Sequence, residues 1–314
     1  MASYILEELA TTENFDEVAY LLANPDVASV VKKGLQKSGK SHFQTFGKNE
    51  KRMLRRDSSI IAEARKNKHE IIQPLLRSDI PYQENECCYD FLTEELKKQF
   101  NIVDTDRISS HHYDQLTLGI INKHESGWVL DCGAGWRPVY YENVVNFEIA
   151  PYDTTDVRGV GEVLPFVDRA FDAVISIAVL EHVKDPFRCA REIARVLKPG
   201  GALVCCVPFL QPLHGYPHHY YNMTHQGLAN LFEGFNIERI EVPDSVLPIW
   251  SLTWILKSWA EGLTGAAKKE FLNLKVADLL ESGDHYLGKA FVRELSASKN
   301  LELASATMLF AYKK

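Results

Sequence analysis

Apolar runs of strand length alternate with polar turns and helix-length segments in the middle of the chain. Four such runs lie at residues 128–132, 143–150, 171–180 and 202–209, and an amphipathic segment precedes the last of them at 185–197. Short, continuous apolar runs are typical of strands buried on both faces. Their alternation with helices predicts a parallel sheet covered by helices on both sides. The pattern therefore predicts a doubly wound α/β domain.

The first hundred residues have a different pattern, with short amphipathic segments at 15–31 and 34–52 that favour helices. Asn24-Pro25 and several glycines separate these segments, and a further helix is predicted at 89–100. We therefore expect a helical N-terminal module and linker over 1–103 and the α/β domain over 104–314.

The pattern continues beyond the fourth apolar run with a helix at 225–235, for which Thr224 is the predicted N-cap. Strands are predicted at 236–242 and at the C-terminal run 306–314. Between them, a helical insertion at about 244–300 contains tryptophans spaced for one helix face. We interpret this insertion as a lid over the active site or as core packing.

Composition limits the remaining possibilities. The chain has 314 residues and a net charge of −7, but residues 31–70 contain twelve Lys/Arg against four Asp/Glu. We favour a solvated helical surface for this basic segment over a nucleic-acid contact. The six cysteines lack metal-site or disulfide-scaffold spacing and are expected to be free thiols. Because no signal peptide or membrane span is apparent, we expect a cytoplasmic protein. The oligomeric state is not predicted.

The sequence VLDCGAGWRP at 129–138 contains the strongest chemical signal. An apolar strand ends in Asp131, and Gly133 and Gly135 follow at alternate positions. Glycines at such a turn let a ligand approach the backbone and tolerate unusual dihedral angles. Taken alone, the turn is compatible with nucleotides, dinucleotides and S-adenosylmethionine alike.

Three later segments narrow this choice: VVNFEIA, with Glu148 at a strand end; GEVLPFVDRAFDAVIS; and AVLEHVKDP followed by REIARVLKPGG. In this order, and together with DCGAG, they resemble the class I S-adenosylmethionine-dependent methyltransferases. The resemblance implies a seven-stranded, mostly parallel, Rossmann-like sheet and S-adenosylmethionine as the cofactor. The sequence departs from the common pattern at Arg137, where a third glycine often occurs. It also lacks the usual aspartate near Glu162.

The resemblance also implies which residues contact the cofactor. The turn faces its methionine portion, Asp131 helps to hold its amino group, and Glu148 accepts hydrogen bonds from the ribose. Tyr113, before the first strand of the domain, is a weaker candidate. The full predicted set is Asp131, Gly133, Ala134, Gly135, Glu148, Gly161, Glu162 and Ala178.

Four histidines are candidates for the base that accepts a proton during methyl transfer. His182 follows the strand at 171–180, and His214, His218 and His219 lie in the loop FLQPLHGYPHHYYNMT together with Tyr216. Such a donor-rich, aromatic loop suits a small ring-bearing or polyhydroxylated substrate. Three histidines could also bind a divalent ion, but the loop contains no carboxylate, and we predict no metal site.

These observations predict an S-adenosylmethionine-dependent methyltransferase that O-methylates a small molecule, with a sugar or secondary metabolite as the first candidate. N- or C-methylation, or a macromolecular acceptor recruited by the basic segment, is an alternative. A non-catalytic binding or scaffold protein that keeps the fold is a third possibility.

Overall fold

The computed structural model describes residues 2–85, 87–103, 109–215, 218–309 and 312. The chain forms two compact units, Met1–Cys206 and Val207–Lys314, and each is described by itself. The predicted boundary at residue 104 does not coincide with this division, because strands from before residue 104 join the sheet of the first unit.

The described part of the first unit contains strands of two kinds. Short strands form two-stranded antiparallel pairs near the N-terminus: β1 (Ser3–Ile5) with β7 (Val139–Tyr141), and β2 (Glu7–Leu9) with β3 (Met53–Arg55). The others form one large sheet, and they are β4 (Gln83–Asn85), β5 (Cys88–Asp90), β6 (Val129–Cys132), β8 (Val144–Glu148), β9 (Val157–Arg158), β10 (Phe171–Ile177) and β11 (Leu197–Cys206).

The large sheet has seven strands in the order β11-β10-β6-β8-β9-β5-β4. All neighbours are parallel except β4, which pairs antiparallel to β5 at the edge. The strand order changes direction between β6 and β10, and ligands of such sheets bind outside the carboxyl ends of the strands at this point. The predicted seven-stranded, mostly parallel α/β fold is confirmed.

The first unit also contains α-helices. They are α1 (Glu17–Ala23), α2 (Pro25–Lys32), α3 (Gly39–His42), α4 (Ala62–Ile72), α5 (Glu94–Phe100), α6 (Gln115–Lys123) and α7 (Pro186–Val196). The predicted break at Asn24-Pro25 is confirmed, since Asn24 lies between α1 and α2. Ile121 of α6 packs in one core with residues of β6, β8 and β10. The first hundred residues are therefore partly helical, but they also contribute β1 to β5.

The second unit contains α8 (His225–Leu231), α9 (Pro248–Glu261), α10 (Gly265–Leu272), α11 (Ala290–Arg293) and α12 (Ala297–Glu302). The Thr224 hydroxyl accepts the Gly227 amide, so Thr224 caps α8 as predicted. The prediction of a strand at 236–242 is wrong, because these residues form no regular secondary structure. Residues 305–309 form no strand either, and the rest of the predicted C-terminal strand lies mostly outside the described residues.

Two further expectations concern cysteines and membranes. All six cysteines are free thiols, and Cys132 and Cys189 are buried. In the part of the chain that the structure describes, none of the helices has the length and apolar character needed to cross a bilayer.

Candidate active site

The turn after β6 has a backbone that only glycine adopts easily. Gly133 has a φ of +89° and Gly135 a φ of +62°. A Cβ on Gly133 would lie 2.4 Å from the Val179 side chain, and one on Gly135 would lie 2.7 Å from the Ser109 carbonyl oxygen. Both values are below normal contact distance, so any side chain would force the turn open. The two glycines of the sequence motif are therefore required by conformation and by space.

Hydrogen bonds join this turn to the end of β8. The Gly133 and Ala134 amides both donate to the Phe147 carbonyl, at 2.9 and 3.0 Å. The next residue, Glu148, accepts the Gly135 amide through Oε2 at 2.7 Å. The Phe147 carbonyl and the Glu148 carboxylate thus hold the turn in place together.

Backbone amides of the protein itself hold the Glu148 side chain in place. Its Oε1 also accepts the backbone amides of Ile149, at 2.8 Å, and Ala150, at 3.3 Å. Burial raises the pKa of Glu148, while the three amide hydrogen bonds act in the opposite direction. A carboxylate offers about four acceptor positions, so the observed bonds leave room for a further donor such as a hydroxyl.

Asp131 lies at the centre of a buried polar cluster. Its Oδ2 accepts Nε of Arg137 at 2.7 Å and also the hydroxyl of Tyr113. Arg137 Nη1 donates to the His111 carbonyl at 3.0 Å, and its guanidinium lies 4.2 Å from the centre of the Tyr113 ring. Burial opposes the charge of Arg137, but Asp131 outweighs this effect and raises the pKa of the guanidinium. The residue that departs from the common glycine pattern therefore pairs with the acid of the turn.

The predicted adenine-side residues lie at the start of α7. Glu162 is 2% exposed, and its Oε1 accepts the amides of Lys184, at 3.0 Å, and Asp185, at 3.3 Å. Burial raises its pKa, which these amides partly offset. A Cβ on Gly161 would lie 3.2 Å from Cys189 Sγ, so the loop packs closely on α7. Glu162 thus holds the segment that leads into α7, and its contact with adenine stays a prediction.

A second turn with a strained backbone lies just after β10. Ala178 is exposed and has a φ of +56°, a conformation that costs a non-glycine residue about 1–2 kcal/mol. Its amide donates to the Cys206 carbonyl at 3.0 Å, which ties β10 to β11. Strain of this kind often lies at functional sites. His182 follows four residues later, with its amide donating to the Val179 carbonyl.

Glu181 is a candidate that the sequence analysis did not single out. Its side chain is completely buried, and neither carboxylate oxygen has a hydrogen-bond partner among the described residues. His182 Nε2 lies 3.8 Å from Glu181 Oε1, which is too long for a hydrogen bond. Burial raises the pKa of Glu181 to about 7. The available signal was a single acid, followed by a histidine, at the end of an apolar run.

The histidine loop belongs to the second unit. His214 Nδ1 contacts the Pro212 carbonyl oxygen at 2.8 Å, and the His214 amide donates to His219 Nδ1 at 3.1 Å. Since Nδ1 of His219 accepts, its Nε2 carries the proton and donates to Asn222 Oδ1 at 2.8 Å. Burial lowers the pKa of His214. These contacts bring His214 and His219 together, with ring centres 4.3 Å apart.

His218 lies beside Tyr220 in the same loop, with ring centres 5.1 Å apart. Tyr216 lies outside the described residues. The loop therefore gathers imidazole and phenol groups within a short segment, as the sequence predicts.

Comparison with known proteins gives a family match, similar sequences and similar solved structures. A family described as a methyltransferase domain matches residues 132–205. A protein of Mycobacterium sp. (strain JLS), described as an uncharacterized methyltransferase, is 41% identical over 70 residues, 22% of this chain and 27% of that protein. A relative from Mycobacteroides abscessus with the same description is 38% identical over 87 residues, 27% of this chain and 30% of its own length.

Among solved structures, the YcgJ protein from Bacillus subtilis has 19% sequence identity and a TM-score of 0.32. The match covers 51% of this chain and 88% of that protein. The chain spans about 30% or less of the length of the two curated relatives described above.

Proposed function

Because this chain carries a class I S-adenosylmethionine-dependent methyltransferase domain, we propose that it transfers a methyl group to a hydroxyl oxygen of a small molecule. A sugar or a secondary metabolite is the first candidate for the acceptor. The observation that carries the proposal is the glycine turn, in which two residues at positive φ meet the carboxylate of Glu148 at the switch point of the sheet.

The residues of the first unit fit S-adenosylmethionine. The turn at Gly133 and Gly135 presents backbone without side chains, and Glu148 has acceptor capacity left for a ribose hydroxyl. Asp131 has one buried oxygen, Oδ1, without a partner among the described residues, as a site for an ammonium group requires. When bound, S-adenosylmethionine supplies an electrophilic methyl group on a sulfonium sulfur.

Methyl transfer requires alignment and a proton acceptor. The protein would have to hold the acceptor oxygen next to the methyl group that S-adenosylmethionine would supply, and a base would have to accept the hydroxyl proton. His182 and Glu181 supply two adjacent candidates for this base at the end of β10. A carboxyl with a pKa of about 7 can accept a proton near neutral pH, and an imidazole can do the same.

Support for a small acceptor comes from the histidine loop. His214, His219 and Asn222 form a connected set of donors and acceptors next to aromatic rings, which suits a polyhydroxylated or ring-bearing molecule. The basic segment at 31–70 favours the macromolecular alternative instead, and nitrogen or carbon acceptors would use the same cofactor. A scaffold without activity would keep the turn but would transfer no methyl group.

The proposal is tested by incubating the full chain with methyl-labelled S-adenosylmethionine and panels of sugars, phenolic metabolites, amines and RNA. We expect labelled product and S-adenosylhomocysteine only with a hydroxylated small molecule. Label transferred to amines or RNA would contradict the acceptor class. Cofactor binding without transfer to any acceptor would favour the scaffold.

A further inference from the structure

We propose that Arg137 binds the carboxylate of the amino-acid end of S-adenosylmethionine while Asp131 binds its ammonium group. This inference rests on the proposed function, since it concerns the same cofactor. It assigns a role to the residue that stands where related sequences often have glycine.

The first observation is an unused donor on a buried guanidinium. Arg137 is 5% exposed. Its Nε donates to Asp131 Oδ2 and its Nη1 to the His111 carbonyl, but its Nη2 has no hydrogen bond to any residue that the structure describes. Nη2 is therefore available to donate to an acceptor that comes from outside the chain.

The second observation is an unused acceptor on the neighbouring carboxylate. Asp131 is completely buried, and its Oδ1 has no partner among the described residues. Tyr113 and Arg137 both bind the other oxygen, Oδ2. An open donor and an open acceptor therefore lie on two paired, oppositely charged side chains. An α-amino acid zwitterion carries the complementary pair of charges.

The third observation is space beside the guanidinium. Arg137 and Tyr113 line a cavity of about 80 Å³ together with His111, His112 and several apolar side chains. One water needs roughly 10–15 Å³ of such volume, so the cavity has room for a carboxylate with its surrounding atoms. The cavity follows directly on the glycine turn in sequence, because Arg137 and Pro138 come two and three residues after Gly135.

A purely structural ion pair explains these contacts less well. A buried ion pair adds little net stability compared with packed apolar side chains, so stability alone gives weak reason for placing arginine here. A guanidinium carries five N–H donors in one plane, so the nitrogen that Asp131 and the His111 carbonyl leave unused can donate to a second carboxylate.

The test compares two ligands that differ only in the carboxylate. S-adenosylhomocysteine and its decarboxylated analogue, which keeps the ammonium group, are titrated calorimetrically into the full chain. We expect the wild-type protein to bind the analogue about 10- to 150-fold more weakly, the range for a lost charged hydrogen bond. In Arg137→Met the two ligands should bind within about 3-fold of each other.

Two further variants keep the test decisive. Arg137→Lys retains the positive charge beside Asp131 but loses the planar guanidinium. Its ratio of affinities for S-adenosylhomocysteine and the decarboxylated analogue should therefore be smaller than that of the wild type. This variant tests the proposal even if Arg137→Met does not fold. Arg77→Met, which removes a partly buried arginine paired with the exposed Asp79, should keep the full preference. If the wild type binds both ligands equally, the role of Arg137 is refuted and the proposed function stands. If it binds neither ligand, the proposed function fails as well.

Discussion

Arg137 Nε lies 2.7 Å from Asp131 Oδ2, and both side chains are almost completely buried. The pair joins the acid at the end of β6 to the segment that leaves the glycine turn. It also brings Tyr113, from before α6, onto the same carboxylate oxygen. Arg137, which departs from the usual glycine pattern, therefore has a specific partner in Asp131.

Breaking this pair should destabilise the first unit strongly. Replacing Arg137 by Met leaves the Asp131 carboxylate buried without its main partner, and losses of about 3–5 kcal/mol are typical of such cases. Urea unfolding of the full chain at pH 7 measures the change. Arg77→Met is the control, and its loss should be several-fold smaller because the Asp79 carboxylate that it leaves behind is exposed to water. Equal losses in the two variants would contradict a buried pair at Asp131.

Glu181 should make stability depend on pH in a defined direction. Its pKa is raised from 4.5 to about 7 by burial, so the folded state holds a proton that the unfolded state releases. The stability that this proton provides is fully present below pH 4.5 and is lost as pH rises through 7. Glu181→Gln should therefore gain stability relative to wild type between pH 5 and pH 8, by about 3 kcal/mol at most.

Unfolding curves of both proteins at unit pH intervals measure this difference. Glu63→Gln, which changes an exposed glutamate on α4, provides the control. If the difference in free energy of unfolding between wild type and Glu181→Gln does not change with pH, Glu181 is ionised over the whole pH range in the folded protein. That result would contradict a carboxyl that is buried without partners.

The histidine candidates are separated by single alanine substitutions at His182, His214, His218 and His219. At least one variant should slow turnover by about 10²–10⁴-fold, as expected for a lost proton acceptor, while its affinity for S-adenosylmethionine stays near that of wild type. Turnover is measured as S-adenosylhomocysteine release with the acceptor found in the panel. Full activity in all four variants would exclude a histidine base and leave Glu181 as the remaining candidate.

The central strands of the sheet were predictable because each is a continuous apolar run between turns. β10, for example, is FDAVISI and lies between two parallel neighbours. The edge strands were not predictable, since β4 consists of three exposed polar residues, Gln83–Asn85, and its pairing depends on β5. Alternation at 236–242 suggested a strand that the structure does not contain. A period-2 pattern indicates a strand only when another strand pairs with it.

Some features of the candidate site could also be predicted from the sequence, and others could not. The glycines at 133 and 135 could be identified because their conformation leaves few other residues possible. The contacts of Arg137 with Asp131 and Tyr113 could not, because they join side chains whose approach depends on the folded backbone. Burial of Glu181 without a partner is likewise a property of packing.

The central claim is that the turn after β6 binds S-adenosylmethionine, and calorimetric titration of wild type against Gly133→Val tests it most directly. A Cβ at Gly133 would lie 2.4 Å from Val179 on a backbone with a φ of +89°. Gly119→Ala, at an open position in α6, is the matched control. The account predicts one bound S-adenosylmethionine per chain in the wild type and the control, and none in Gly133→Val. Equal affinity in all three proteins would contradict it.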